Sequence, residues 1–133
     1  MEALDTNVLV RFLVKDDPVQ AAIVYEKFKA AERNKDILFI PLLVVLETIW
    51  VLESVYLVKR TEILQSLANL VLMPILEFES QKTIRAFIST AYEASTELPD
   101  LLIACSAQTS GCETVLTFDK KAAKNKLFKL LNT

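Results

Sequence analysis

The stretch from residue 37 to residue 55 reads ILFIPLLVVLETIWVLESV, and it decides the class of fold. Its first four residues, Ile37–Ile40, form an unbroken apolar run of the length typical of a strand buried on both faces. Pro41 ends that strand and can open a helix, so we expect a helix from about Leu42 to Val55. A buried strand followed directly by a helix is the repeating unit of an α/β fold.

The same alternation extends in both directions from this stretch. Before it, Met1–Leu4 is a short apolar lead, and Asp17-Pro18 is a typical helix start for a segment running to about Arg33. After it, the pattern predicts helices at about 61–72, 80–94 and 98–110, short strands at 73–76 and 114–118, and a final helix from Lys120 toward Leu131. These segments favour a parallel sheet covered on both faces, in a three-layer α/β/α sandwich formed by a single domain over residues 1–133.

Composition excludes several classes of protein and of chemistry. With 53% apolar residues and one glycine among 133 residues, the chain is neither disordered nor turn-rich all-β. There is no histidine, which excludes a Ser-His or Cys-His nucleophile pair and any His-ligated metal. The chemistry must therefore depend on carboxylates, hydroxyls, lysines or a metal held by oxygen.

Charge is distributed unevenly along the chain. All 17 acidic residues lie at or before Asp119, and five of the 15 basic residues follow it. This basic tail is either a solvated helix face or a contact for a phosphate backbone beside an acidic site. The N-terminus has acids where a secretory signal would be basic, and no apolar run is long enough to span a bilayer, so we expect a cytoplasmic protein with reduced thiols.

Four acidic residues stand where a parallel sheet places its ligands. Asp5 follows the first predicted strand and Asp119 the last, at the carboxyl edge where ligands bind in such sheets. Asp100 opens the helix that leads to the last strand, and Glu47 interrupts an apolar helix. Taken singly, Asp5 and Asp119 also suit helix caps, and Asp100 suits a helix dipole. Glu47 is costly to bury without a cation or hydrogen bonds, and we expect such a compensated, buried carboxylate rather than a solvent-facing one.

Convergence of the four acids would create a strongly repulsive pocket. With no histidine in the chain, a hard divalent cation is the natural counter-charge, and ligation by oxygen alone selects Mg²⁺ or Mn²⁺ over zinc. Such a site suits hydrolysis of a phosphodiester bond, because the metal can polarise a phosphoryl oxygen and activate a water.

These residues carry a family resemblance. The ordered set DTNVLVR at 5–11, DDP at 16–18, LETIW at 46–50, DLLIA at 100–104 and TFDK at 117–120 resembles the PIN domain, and within it the toxin component of VapBC-type toxin–antitoxin pairs. The resemblance covers essentially the whole chain. It implies a PIN-like α/β/α fold and an endoribonuclease dependent on Mg²⁺ or Mn²⁺.

The resemblance also implies roles for individual residues. Asp5 and Asp100 match the principal metal ligands of the family, and Glu47 and Asp119 match the acids that complete its catalytic pocket. Thr6, Asn7 and Thr117 match neighbours that hydrogen-bond those acids, although turn and cap roles fit them as well. Glu97 departs from the family pattern: it either replaces a peripheral aspartate or is simply exposed.

Partners follow from the same resemblance. Such toxins form homodimers through apolar helices, which fits Leu42–Val55 and its Trp50, although plain core packing fits that helix equally. They are silenced by a small antitoxin protein, and their substrate is RNA. The candidate phosphate contacts are the five C-terminal lysines and two basic residues near the N-terminus, with a solvated helix face as the alternative for most of the lysines: Lys120, Lys121, Lys124, Lys126, Lys129, Arg11 and Lys15.

Two other functions compete with the nuclease. A phosphoaspartyl phosphatase or receiver also places an aspartate after its first strand, but the phosphatase pattern requires an acid two residues later, where this chain has Asn7. A dimerising module that has lost catalysis is the second alternative, and the presence of all four acids argues against it.

Overall fold

The computed structural model describes residues 1–131, which form α/β architecture with parallel strand pairing. The strands are β1 (Glu2–Ala3), β2 (Leu38–Ile40), β3 (Leu76–Phe78), β4 (Val115–Thr117) and β5 (Phe128–Leu130). The α-helices are α1 (Thr6–Leu13), α2 (Pro18–Asn34), α3 (Leu42–Ser54), α4 (Arg60–Val71), α5 (Gln81–Glu93) and α6 (Leu98–Thr109), and a 3₁₀ turn covers Ala122–Lys124. This confirms the predicted α/β class with a parallel sheet.

The chain divides into two compact units, Met1–Gln81 and the residues from Lys82 onward. The first unit contains a three-stranded parallel sheet in the order β1-β2-β3, with Leu38 of β2 opposite both Glu2 and Leu76. Its helices α1 and α3 bury Leu9, Val45 and Ile49 almost completely. Strand β2 is central because its alternate residues are apolar and buried, as the unbroken apolar run predicts.

The second unit contains a two-stranded parallel sheet in which Val115 lies opposite Phe128. A small apolar cluster of Ala104, Ala122 and Phe128 is buried there, with Val115 and Leu127 packed against it. This cluster joins α6, the 3₁₀ turn and both strands, so it fixes where β4 ends. None of the helices within residues 1–131 has the length and apolarity needed to cross a membrane.

Most predicted boundaries agree with the structure. Asp17 caps α2 by accepting a hydrogen bond from the backbone N–H of Gln20 at 3.1 Å, and Pro18 is its first residue. Gly111 follows α6 with a φ of +95°, a backbone conformation that favours glycine. Helix α4 begins at Arg60, one residue before the predicted start at residue 61, and β3 begins at Leu76, at the end of the predicted 73–76 segment.

The predicted C-terminal helix is wrong. Within residues 120–131 a single 3₁₀ turn forms, and the chain then enters β5, where Phe128 is buried, Lys129 is exposed and Leu130 is half-buried. This alternation with a period of two is typical of a strand. The lysine-rich sequence predicts a helix, but the burial of Phe128 against Ala104 and Ala122 decides the local structure.

Candidate active site

Asp5 lies at the turn between β1 and α1. The backbone N–H of Leu4 donates to the carbonyl of Phe39 at 2.8 Å, so pairing with β2 continues to the residue before Asp5. Asp5 then caps α1, its Oδ1 accepting a hydrogen bond from the N–H of Val8 at 3.1 Å. The capping role considered from the sequence is therefore present, but it uses one oxygen of an exposed carboxylate and leaves the group available for a second role.

Thr6 connects this turn to Glu47. The buried hydroxyl of Thr6 donates a short hydrogen bond to Oε1 of Glu47, which lies on α3, while Asn7 is exposed. Helices α1 and α3 are packed against each other in the first unit, and this contact places Glu47 beside the segment that carries Asp5. Thr6 thus forms a hydrogen bond with one of the four acids, as the family resemblance implies.

Glu47 itself lies on the exposed side of α3, so the expectation of a buried carboxylate is wrong. The side chains of Leu43 and Trp50, one turn before and after it, are also 77% and 56% exposed. The polar residue that α3 does bury is Thr48, which has no accessible surface, and its hydroxyl has no hydrogen-bond partner within residues 1–131. An apolar helix does not by itself show which of its faces is covered.

The second unit brings together Asp100, Asp119 and Glu97. Asp100 lies in the first turn of α6, and Glu97 is the residue that precedes the helix. Burial raises the pKa of Asp100, and the negative charges of Asp119 and Glu97 raise it further. Desolvation and repulsion therefore both disfavour the ionised form of Asp100.

Asp119 is held by the turn that follows β4. Its Oδ1 accepts hydrogen bonds from the backbone N–H groups of Lys121 at 2.8 Å and Ala122 at 3.3 Å. Its own N–H donates to the hydroxyl of Thr117 at 3.0 Å, so Thr117 positions Asp119 through the backbone. The helix that Asp119 was expected to cap does not form within residues 120–131, and its carboxylate is instead oriented by these two N–H groups of the turn.

A cleft of about 580 Å³ in the second unit is lined by both aspartates. Glu97 lines it as well, and is paired with Lys121 at 3.1 Å across an exposed salt bridge. The four predicted acids are thus divided between the two units: Asp5 and Glu47 belong to the first, and Asp100 and Asp119 line one cleft in the second. Among residues 1–131, no group of three or more His, Cys, Asp or Glu side chains has the arrangement of a metal centre.

Sequence reasoning missed Asn125, which shapes the wall of this cleft. Its Nδ2 donates to the hydroxyl of Thr96 at 2.8 Å, and its Oδ1 accepts from the N–H of Leu127 at 2.9 Å. These bonds hold the segment after the 3₁₀ turn against the loop that precedes α6. Asparagine is a typical turn residue, so Asn125 was itself a signal for a turn. The predicted helix over this segment left that signal unused.

The predicted phosphate contacts differ in their surroundings. Lys15 and Lys120 are exposed, whereas Lys121 is paired with Glu97. Arg11 donates to Asp16 and to the hydroxyl of Tyr56, at 2.8 and 2.9 Å. The hydrogen bond with Tyr56 and the charge of Asp16 raise the pKa of Arg11, so this guanidinium is a fixed positive charge.

The sequence profile of the PIN domain family matches residues 3–126. No curated protein matches the chain in a sequence search. PIN domains are generally nucleases that use divalent metals, and the α/β architecture with a parallel sheet fits their three-layer α/β/α fold. The matched range includes Asp5, Glu47, Asp100 and Asp119 and extends over nearly all of the sequence, so the chain belongs to the PIN domain family.

Proposed function

We propose that this protein is an endoribonuclease that hydrolyses RNA phosphodiester bonds with Mg²⁺ or Mn²⁺. The observation that carries the proposal is the Asp100–Asp119 pair in its cleft, where burial and mutual repulsion raise the pKa of Asp100. Carboxylates held together despite desolvation and mutual repulsion are typical of a site whose function needs a cation. Family membership supplies the general nuclease activity, and the metal and the RNA substrate are the proposal.

The donor set suits a hard cation. Mg²⁺ is commonly bound through one or two carboxylates and keeps several waters, so the pair of Asp100 and Asp119 can hold it without a preformed group of three acids. When bound, such an ion polarises a phosphoryl oxygen and lowers the pKa of a coordinated water. Asp119 is oriented for this role by the N–H groups of Lys121 and Ala122, and the charge of Glu97 is offset by Lys121.

The pair in the first unit belongs to the same proposal. Asp5 and Glu47 contribute the remaining negative charge that the reaction needs, and Thr6 orients Glu47 through its hydrogen bond. Arg11, Lys15, Lys120 and Lys121 are proposed contacts for RNA phosphates. Since the family profile runs from residue 3 to residue 126 across both units, we assign residues 1–133 to one nuclease domain.

We also propose that the protein is the toxin of a toxin–antitoxin pair in the cytoplasm. Support comes from the ordered motifs of residues 5–11, 46–50, 100–104 and 117–120, which resemble those of the VapBC-type toxins. A small antitoxin protein would then silence the nuclease, for instance by placing a basic side chain among the acids.

A homodimer is part of the same proposal. Leu43 and Trp50 are both exposed, one turn on either side of Glu47 on the same side of α3. The partner we propose for these two apolar side chains is a second copy of the chain, because large apolar side chains exposed close together are typical of a protein–protein contact.

Cleavage of RNA by Asp→Asn variants tests the catalytic proposal. With Mg²⁺ or Mn²⁺ present, Asp100→Asn and Asp119→Asn should each lower the rate by more than about 100-fold, since losing even an outer-shell partner of a metal costs about 10–100-fold. Glu113→Gln is the matched control, because Glu113 is exposed in the same unit and does not line the cleft. It should cleave like the unmodified protein.

Two outcomes would contradict the proposal. Absence of metal-dependent cleavage of RNA by the unmodified protein would remove the ribonuclease function. Full activity of Asp100→Asn, in preparations free of contaminating nuclease, would show that the site is assigned to the wrong residues. A DNA oligomer of the same base sequence should remain intact, which checks the choice of RNA over DNA.

A further inference from the structure

The cleft that holds Asp100 and Asp119 also has a basic wall. Three lysines line it, namely Lys121, Lys124 and Lys126, so charges of both signs face the same space. Bare carboxylates repel a polyanion, and a nucleic acid can approach them only if nearby cations lower that repulsion. The arrangement therefore suggests that the carboxylates and the lysines of this cleft have different roles.

The three lysines are not equivalent. Lys121 is paired with Glu97 at 3.1 Å, so its charge is offset within the protein. Within residues 1–131, neither Lys124 nor Lys126 has an ion pair, and both are exposed. These two ammonium groups consequently carry the positive charge that is left for a ligand.

Hydrogen bonds of a single residue restrain the backbone that carries Lys124 and Lys126. Asn125, between them, donates to Thr96 and accepts from the N–H of Leu127, and its own N–H donates to the carbonyl of Ala122 at 3.0 Å. Three hydrogen bonds on one residue restrict the segment, so binding of a ligand would require little further ordering of the backbone.

We infer that Lys124 and Lys126 bind phosphate groups of single-stranded RNA next to the phosphodiester bond that is cleaved. The inference rests on the proposed nuclease function and adds the residues that hold the substrate. A cleft of about 580 Å³ admits a short, flexible segment of backbone, which a single strand can supply and a continuous duplex cannot. Contacts to phosphates hold the strand in place without reading its sequence.

Salt dependence of binding tests the inference. A fluorescent single-stranded RNA oligomer is titrated with protein in the presence of a metal chelator, so that binding is measured without cleavage. The Lys124→Ala/Lys126→Ala variant should reduce the slope of log K against log salt by about 1.4, since each phosphate contact on a single strand contributes about 0.7. The loss of affinity should be similar for oligomers of different sequence.

A matched control separates local contacts from net charge. Lys82→Ala/Arg85→Ala removes the same charge from two exposed basic side chains of the second unit that do not line the cleft. It should leave the slope within about 0.3 of that of the unmodified protein, well below the change of about 0.7 for one phosphate contact. Thermal unfolding of each variant verifies that the fold is retained, since all four substituted side chains are exposed.

Four results would overturn the inference. An equal slope for the cleft variant and the control would show that the two lysines make no specific contact. Binding of an acidic peptide with the same loss in the cleft variant would identify a protein segment as the occupant. If the unmodified protein cleaves RNA while the cleft variant keeps its slope and its KM, the inference fails and the nuclease function stands. If the unmodified protein neither binds nor cleaves RNA, both fail.

Discussion

At the scale of single residues, two threonines of the first unit are in opposite situations. Thr6 and Thr48 are both buried, but the hydroxyl of Thr6 donates to Glu47, whereas that of Thr48 has no partner within residues 1–131. Valine has nearly the shape of threonine and lacks the hydroxyl, so the same substitution at both positions isolates the value of a hydrogen bond.

We predict opposite effects of the two substitutions on the free energy of unfolding. Thr6→Val should lower it by about 1 kcal/mol, the usual net contribution of one hydrogen bond. Thr48→Val should leave it unchanged or raise it, because a buried hydroxyl without a partner is unfavourable. Chemical denaturation of both variants measures the difference, and equal losses would show that the Thr6–Glu47 contact contributes nothing.

Asp100 couples stability to pH. Its pKa is raised in the folded protein, so the folded state favours the protonated carboxyl. The stabilisation that the protonated carboxyl contributes to the folded state is therefore fully present below the ordinary aspartate pKa of 3.8. It is lost as the pH rises through the higher folded-state pKa. At neutral pH the ionised Asp100 destabilises the protein, as expected for a group placed for function.

We predict that Asp100→Asn stabilises the protein at neutral pH in the absence of divalent metal. Asparagine resembles the protonated carboxyl, so the gain in melting temperature should disappear below pH 3.8. Mg²⁺ or Mn²⁺ should stabilise the unmodified protein and not the variant, because only the carboxylate binds the ion. A variant that is less stable at neutral pH would show that the α6 dipole outweighs desolvation and repulsion.

At the scale of elements, the segment after Asp119 illustrates how burial overrides local propensity. The lysine-rich sequence predicts a helix here, yet Phe128 is 8% exposed within its cluster with Ala104 and Ala122, and β5 pairs with β4. Burying one aromatic side chain contributes more than the helix propensity of several lysines. The strand also directs the chain back past the turn that holds Asp119.

We predict that Phe128→Ala lowers the free energy of unfolding by about 3 kcal/mol, the usual cost of removing a buried aromatic ring. Lys129→Ala is the neighbouring control on the exposed face of β5, and it should change stability by less than about 0.5 kcal/mol. Denaturant unfolding monitored by circular dichroism gives both values. Similar small changes in the two variants would contradict the packing of β5 onto this cluster.

At the scale of the whole molecule, the question is which surface α3 presents to a partner. Trp50 is 56% exposed and is the chain's only tryptophan, so its fluorescence reports directly on this surface. If two copies associate through α3, the emission should shift to shorter wavelength as the protein concentration rises, because the indole leaves water.

We predict a dimer of twice the 15.0 kDa chain mass that Trp50→Glu converts to monomer, since a carboxylate at an apolar contact has to be desolvated. Sedimentation equilibrium measures both masses. Val19→Glu is the control, because Val19 is 71% exposed on α2 and outside α3. A monomeric unmodified protein, or the same loss of dimer with either substitution, would remove α3 as the contact.

The amino-acid sequence by itself determined the class of fold and the identity of the candidate acids. The apolar run of Ile37–Ile40, the Asp17-Pro18 helix start and Gly111 after α6 act through short-range preferences of the backbone, so their consequences can be derived without tertiary contacts. The absence of histidine limited the chemistry to oxygen ligands in the same direct way.

Only the tertiary structure decided what depends on residues distant in sequence. It showed that Glu47 is exposed and bonded to Thr6, that the lysine-rich C-terminal segment contains a strand, and that Asn125 fixes the basic wall beside Asp100. Each of these results follows from burial or from a hydrogen bond between segments more than twenty residues apart. The local sequence pattern does not identify such contact partners, because the free energy that favours these contacts comes from packing and desolvation in the folded chain.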